Sequence, residues 1–255
     1  MLKEQLVELS RGARFLQGDE NPDSEVTGDS PYGDDWDLLW IGHCGAKNRV
    51  NQDSKYWVIQ DDPTAIPEKL WQNRRRLPNL NTTLLSGNNT RAVFETSHAL
   101  CTTGYAISFR GAQKLLYHQS VLGKAEPSDR ALLAVCRERY MGMQCFAPYP
   151  ALVQAHKAAG PTAKDSDRIG LAGGYREVSQ SLFLVFPTRV NIERLMVDKN
   201  ERIPSQYPAD TMLTEIDRKM ELPRGHGVFI RKGEYGWGEE EKWKAAHPGL
   251  TVERD

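Results

Sequence analysis

The stretch from Leu100 to Arg139 constrains the fold most. Within it, Gly104 to Phe109 alternates as a half-buried strand does, with Tyr105, Ile107 and Phe109 on one side. Ser108 then stands where the N-cap of a short helix belongs, and Ala112, Leu115 and Leu116 share a face behind it at helical spacing. A second helix is signalled by Pro127, Ser128 and Asp129, followed by Leu132, Leu133, Val135 and Cys136. Strand, helix, turn and helix, with a carboxylate at the last helix start, make a compact scaffold on which active-site groups can be held.

The rest of the chain supplies strands and helices in alternation, which predicts an α/β layer protein. Leu2, Leu6, Leu9, Ala13 and Leu16 form a helical stripe with no capping residue before it, so the chain reads as beginning inside an element. A polar loop over 18–35 leads to a buried strand from Asp37 to Gly42, then a turn through His43, Cys44 and Gly45. Tyr56 to Gln60 reads as a strand, and Arg91 to His98 as an edge strand entering the central block. Ile66 to Asn89 is irregular, and its Arg74, Arg75 and Arg76 read as a solvated turn rather than a phosphate site. Cys145 to Val153 is extended and apolar. Ser181 to Phe186 reads as a strand, Asn191 to Val197 and Ala209 to Met220 as helices, and Gly225 to Asp255 as a weakly ordered tail. The division expected is an α/β unit over 1–200 and a partly irregular extension over 201–255.

A 255-residue chain that is 39% hydrophobic and 26% charged can bury one ordinary core. Its net charge of -1 gives no electrostatic reason to expect nucleic acid or an acidic membrane surface. No apolar run reaches the length of a membrane span, and the first residues are no signal peptide. Cys44, Cys101, Cys136 and Cys145 lack zinc-ligand spacing. They allow two disulfides, the closest pair stapling a helix end to the following strand; four buried thiols is the other reading. Sequons at Asn81 and Asn88 lean toward a secretory compartment.

The run Gly104, Tyr105, Ala106, Ile107 and Ser108, then Gly111, Ala112, Lys114, Leu115 and Leu116, with an Asp beyond and Asp35, Trp36 and Asp37 earlier, resembles glycosyltransferase family 25. The likeness spans about Asp34 to Asp167. It implies a Rossmann-like fold of the GT-A type, incomplete here at its N-terminal nucleotide-binding half. It also implies an inverting enzyme that moves a hexose, galactose by preference, from a UDP-sugar to a glycan or glycoprotein hydroxyl in the ER or Golgi lumen. Such a reaction needs a divalent cation, Mn²⁺ or Mg²⁺, to neutralise the leaving diphosphate, and a carboxylate to take the acceptor proton. The family's acidic metal motif has no counterpart in this chain, so cation binding should be weak or absent.

By the same resemblance Asp129 is the catalytic carboxylate, although the acid that commonly follows it is replaced by Arg130. Its plainer role is to complement the helix dipole from the first turn. His156 corresponds to a late metal-binding His, and Asp165 and Asp167 to a loop acid near donor or metal. Gly104 and Tyr105 fall where the family's chain passes donor or acceptor: glycine permits close approach and tyrosine can stack on a sugar. Filling the core is the alternative for both. Asp35-x-Asp37 has the letters of a metal motif but enters a strand rather than leaving one. His43 lies on a strand-end loop, where ligands gather. The rival to an enzyme is a degenerate homologue that at most binds sugar or a partner.

Overall fold

The computed structural model describes residues 1–19, 21–22, 30, 32–33, 35–49, 54–70, 89–165, 173–197 and 202–230. In chain order these form α1 (Leu2–Gln17), β1 (Leu38–Gly42), β2 (Gly45–Asn48), β3 (Ser54–Ile59), β4 (Arg91–Leu100), β5 (Gly104–Ile107), α2 (Phe109–Leu116), α3 (Ser128–Arg137) and β6 (Cys145–Tyr149). Short pieces follow: β7 (His156–Lys157), β8 (Gly160–Pro161), β9 (Tyr175–Arg176), β10 (Gln180–Ser181), α4 (Ile192–Val197), β11 (Ile203–Pro204), β12 (Glu215–Ile216) and β13 (His226–Ile230). The main sheet runs β13-β3-β4-β6-β1-β5, with β2 paired to β4 off that path. Among the described residues only β1 and β6 pair in parallel; the other ladders are antiparallel. The architecture is therefore mixed α/β around a mixed sheet.

Both faces of the sheet are covered. On one side Leu9 and Ala13 of α1 meet Leu39, Trp57, Ile59, Val93 and Phe146. There Gly12 brings the helix so near the sheet that a Cβ would stand 2.9 Å from that of Trp57. Gly18, at φ 104°, closes α1 as its sequence position allows, its N–H returning to Phe15. On the other side Leu132, Leu133, Val135 and Cys136 of α3 pack over Leu38, Trp40, Phe94 and Ala147. Arg49 caps α3 by donating to the carbonyl of Cys136 at 2.6 Å, while Glu95 holds Arg49 from β4 at 3.0 Å.

Asp37 fixes the strand–helix block to the sheet. It is fully buried, accepting from Arg110 and Lys114 at 2.7 Å each and from the Gln144 N–H at 2.8 Å. Burial alone would raise its pKa, but these hydrogen bonds, with Lys114 and Arg110 leading, hold the carboxyl below its ordinary range. Its carbonyl accepts from the Ser108 N–H at 3.0 Å. Gly111 lies so close that a Cβ there would sit 2.3 Å from that same carbonyl oxygen. Ser108 caps α2 as its position predicts, taking the Gly111 N–H at 3.0 Å.

Several expectations are corrected. The strand from Gly104 stops at Ile107, because the Ser108 cap starts α2 at once; Phe109 is thus helical and 80% exposed rather than on one strand side with Tyr105 and Ile107. Leu116 is also largely exposed, whereas Leu115 packs on the core. β4 is an interior strand, not an edge. Ala92, Val93 and Phe94 are all buried between β3 and β6, and the charge of Arg91 is matched by Asp62 at 2.7 Å. In place of a strand over Ser181–Phe186 there is a two-residue ladder and a turn, since the Gln206 side chain takes up the backbone of Ser181 and Leu184.

Ala209–Met220 is not a helix. The single turn that the Thr211 N–H closes on the Tyr207 carbonyl goes no further, because the Thr211 hydroxyl takes up the Leu213 carbonyl and Glu215 and Ile216 extend to pair with Pro204 and Ile203. His226–Ile230, placed by sequence in the weakly ordered tail, completes the main sheet beside β3. Residues 231–255, the sequons at Asn81 and Asn88, and Arg74–Arg76 lie outside the described residues.

Replacing Asp37 by Ala strands the Lys114 ammonium in a largely buried site and should lower unfolding free energy by about 3 kcal/mol in urea titrations. Gly111→Ala should cost about 1–3 kcal/mol by pushing α2 off β1, with the same measurement as readout.

Candidate functional site

The carboxyl ends of the parallel pair β1 and β6 draw three backbones together. The Leu152 and Val153 N–H groups both donate to the Ile41 carbonyl, at 2.8 and 3.1 Å, and Gly104 stands opposite Gly42 in the β1–β5 register. A Cβ on Gly42 would lie 2.7 Å from the Val153 carbonyl oxygen and 2.9 Å from the Gly104 nitrogen, so only glycine fits. The Gln154 amide donates to the His43 carbonyl at 2.6 Å and ties the outgoing chain to the end of β1. In open α/β sheets, ligands gather outside such carboxyl ends.

His43 is buried at this edge. Its Nε2 faces the Pro148 carbonyl at 2.9 Å, and because a carbonyl only accepts, that nitrogen carries the proton. The ring stacks on Tyr149 at 6.1 Å, and Nδ1 has no hydrogen-bond partner among the described residues. Burial pushes its pKa down to about 4, with the Pro148 carbonyl and its own backbone opposing only in part.

Two disulfides bracket the scaffold. Cys136–Cys145 staples the end of α3 to the start of β6, and Cys44–Cys101 joins the turn after β1 to the end of β4. There are no free cysteines. Trp40, fully buried beneath the second disulfide, donates its Nε1–H to the Cys101 carbonyl at 2.8 Å.

The residues singled out in the sequence fall in different settings. Gly104 does make a close approach, but to the chain itself: a Cβ would meet Ile41 at 3.3 Å and Val153 at 3.5 Å. Tyr105 on the edge strand β5 is 44% exposed and free to stack. Asp129 lies in the first turn of α3, about 10 Å along the helix axis from the Cys136 end, and its carboxylate takes the N–H of Arg130. None of the described hydrogen bonds or ion pairs joins Asp129 to His156. The latter opens β7, where its Nδ1 lies 3.1 Å from the Ser181 hydroxyl across the β7–β10 ladder.

Asp165 is gripped by Arg176 at 2.7 Å and approached by Lys157 at 3.5 Å. The Arg176 hydrogen bond, aided by the charges of Lys157 and Arg176, depresses its pKa against a weaker desolvation effect. Asp167 lies outside the described residues. Asp35-x-Asp37 is no cation site: Asp37 is occupied by Arg110, Lys114 and Gln144. Among the described residues no three His, Cys, Asp or Glu side chains gather as a metal site requires, and no helix is long and apolar enough to cross a membrane.

Sequence reasoning gave no role to Arg110, to Lys114, although the latter stands in the motif, or to Arg176. The first two carry a signal, since a four-residue spacing puts both on the face of α2 that meets Asp37. Arg176 reaches Asp165 across a hairpin and leaves no local trace. No family model, curated protein or solved structure matches the chain.

The buried imidazole makes stability pH-dependent. Unfolded His43, at its ordinary 6.5, takes up a proton that the folded state refuses until about pH 4. Stability from this group is therefore intact above pH 6.5 and drains as pH falls toward 4. Between about pH 7 and pH 5 the loss should be about 2 kcal/mol in denaturant titrations, and a His43→Gln variant should lack that share.

Proposed function

We propose that this chain is the scaffold of an inverting hexosyltransferase resembling glycosyltransferase family 25, with a UDP-sugar as donor and a glycan or glycoprotein hydroxyl as acceptor. The observation that carries the reading is the carboxyl edge of the β1–β6 pair. There Gly42, His43, Gly104 and Gln154 interlock, next to exposed Tyr105, at the strand ends outside which parallel strands take ligands. The finer assignment, a GT-A type sheet, has the parallel β1–β6 pair as its support among the described ladders. The disulfides fit an oxidising compartment such as the secretory lumen.

In this reading Asp129 takes the acceptor proton as the hydroxyl oxygen attacks the anomeric carbon and UDP departs. The described residues do not fit the Mn²⁺ or Mg²⁺ expected for the family. Asp165 is taken up by Arg176 and Lys157, which leaves His156, with Nδ1 on Ser181, as a single nitrogen donor without acidic partners among the described residues, and no step is assigned to a metal. That same neutralisation of Asp165 favours a second reading, a homologue that holds a sugar or a protein partner without turnover.

UDP release from UDP-hexoses, measured with glycan acceptors and with or without Mn²⁺, separates the two. Expected are slow transfer and a drop of at least about 100-fold for Asp129→Asn, with the unfolding midpoint unchanged. If calorimetry finds no binding of UDP or UDP-hexose in either condition, and no UDP is released, the transferase reading fails.

A further inference from the structure

The two disulfides differ in what surrounds them. Cys136 and Cys145 are each 1% exposed, sealed between α3 and the sheet. Cys44 is exposed and Cys101 half-buried, and the residues that follow, Thr102 and Thr103, are exposed as well. Cys101 also holds a left-handed backbone at φ 67°, a conformation costly for a residue with a side chain and kept only where the surroundings impose it. An accessible disulfide on a strained backbone is the kind that exchanges with external thiols.

We infer that Cys44–Cys101 is a redox-sensitive latch on the carboxyl edge of the β1–β6 pair, opened by a dithiol reductant while the Cys136–Cys145 staple stays closed. A thiolate of the reductant attacks the sulfur of Cys44, the more exposed residue of the pair. The bond to Cys101 breaks, and Cys101 leaves as a thiolate that takes a proton from water. The reductant's second thiol, deprotonated in turn, displaces Cys44, which is reprotonated. The dithiol ends as a disulfide and the protein as two thiols, a two-electron exchange.

Opening stays local because other bonds remain. The β2–β4 ladder still pairs Gly45 with Leu100 and Ala46 with Ala99, and the Cys44 N–H still donates to the Leu100 carbonyl at 2.9 Å. What loosens is the segment Cys101–Thr103, with the Trp40 bond to the Cys101 carbonyl, and the turn that His43 and Cys44 share. These are the pieces that border Gly42 and Gly104. The latch is thus a device on the candidate site, yet it does not depend on sugar transfer.

The test is graded dithiothreitol on the native protein, quenched by alkylation and read by peptide mass spectrometry with tryptophan fluorescence. Cys44 and Cys101 should become labelled together at a reductant concentration at least about tenfold below that which labels Cys136 and Cys145. Fluorescence should shift in step, and amide exchange should rise at His43 and over 101–103 but not at Cys44, at Gly45 or across α3, where the bonds to Leu100 and the helix remain. Equal reducibility of the two pairs, earlier opening of the buried one, or loss of far-ultraviolet circular dichroism on the first reduction would overturn the latch. A Cys44→Ser, Cys101→Ser double variant should reproduce the exchange pattern without reductant; an unchanged pattern counts against it equally.

Discussion

The structure depends on the buried carboxylate of Asp37. One residue before β1 begins, it binds two cations from α2 with its side chain, the lead-in to β6 through the Gln144 N–H, and the cap of α2 through its own carbonyl. Alone, such a charge in the interior would be prohibitive; with Arg110, Lys114 and Gln144 it is satisfied and fixes how α2 meets the sheet. Gly111 is the matching constraint, because no other residue lets α2 approach the Asp37 carbonyl so closely. The motif that carried the family resemblance is thus, in large part, the instruction for docking one helix on one strand.

That docking has a counterpart at the other end of β1. There the fold relies on backbone proximity, with Gly42, Gly104 and Val153 in contact and Gln154 holding the His43 carbonyl. A buried ion pair beside it, Arg91 with Asp62, also reaches the Pro150 and Ala151 carbonyls and so steadies the path leaving β6. Along this edge Cys44, Thr102, Thr103, Tyr105 and Ala155 are exposed, beside the close-packed backbone of Gly42 and Gly104.

Elements with a strong internal period were legible in the sequence. The α1 stripe, the Ser108 cap and the apolar run of α3 all follow from local spacing, whereas the helix-end cysteine pairing was one of two readings that the sequence left open. What was not legible depends on partners far along the chain. The interior position of β4 is invisible because Arg91 looks like an edge residue until Asp62 is placed beside it. Phe183 and Leu184 look like strand until Gln206 takes up the neighbouring backbone. Asp129 and His156 were singled out only by resemblance, and the sequence had no means of anticipating that Arg176 would neutralise Asp165.

The strand His226–Ile230 has a temporal consequence. It zips onto β3 with Val228 opposite Tyr56, while Gly225 hands its N–H to buried Glu8 near the very start of the chain. A nascent polypeptide emerging from the ribosome therefore exposes the flank of β3 until nearly all the described residues have been synthesised. An unpaired flank of that kind invites intermolecular association. Ribosome-bound chains ending before residue 226 therefore carry β3 without the strand that covers it in the folded protein.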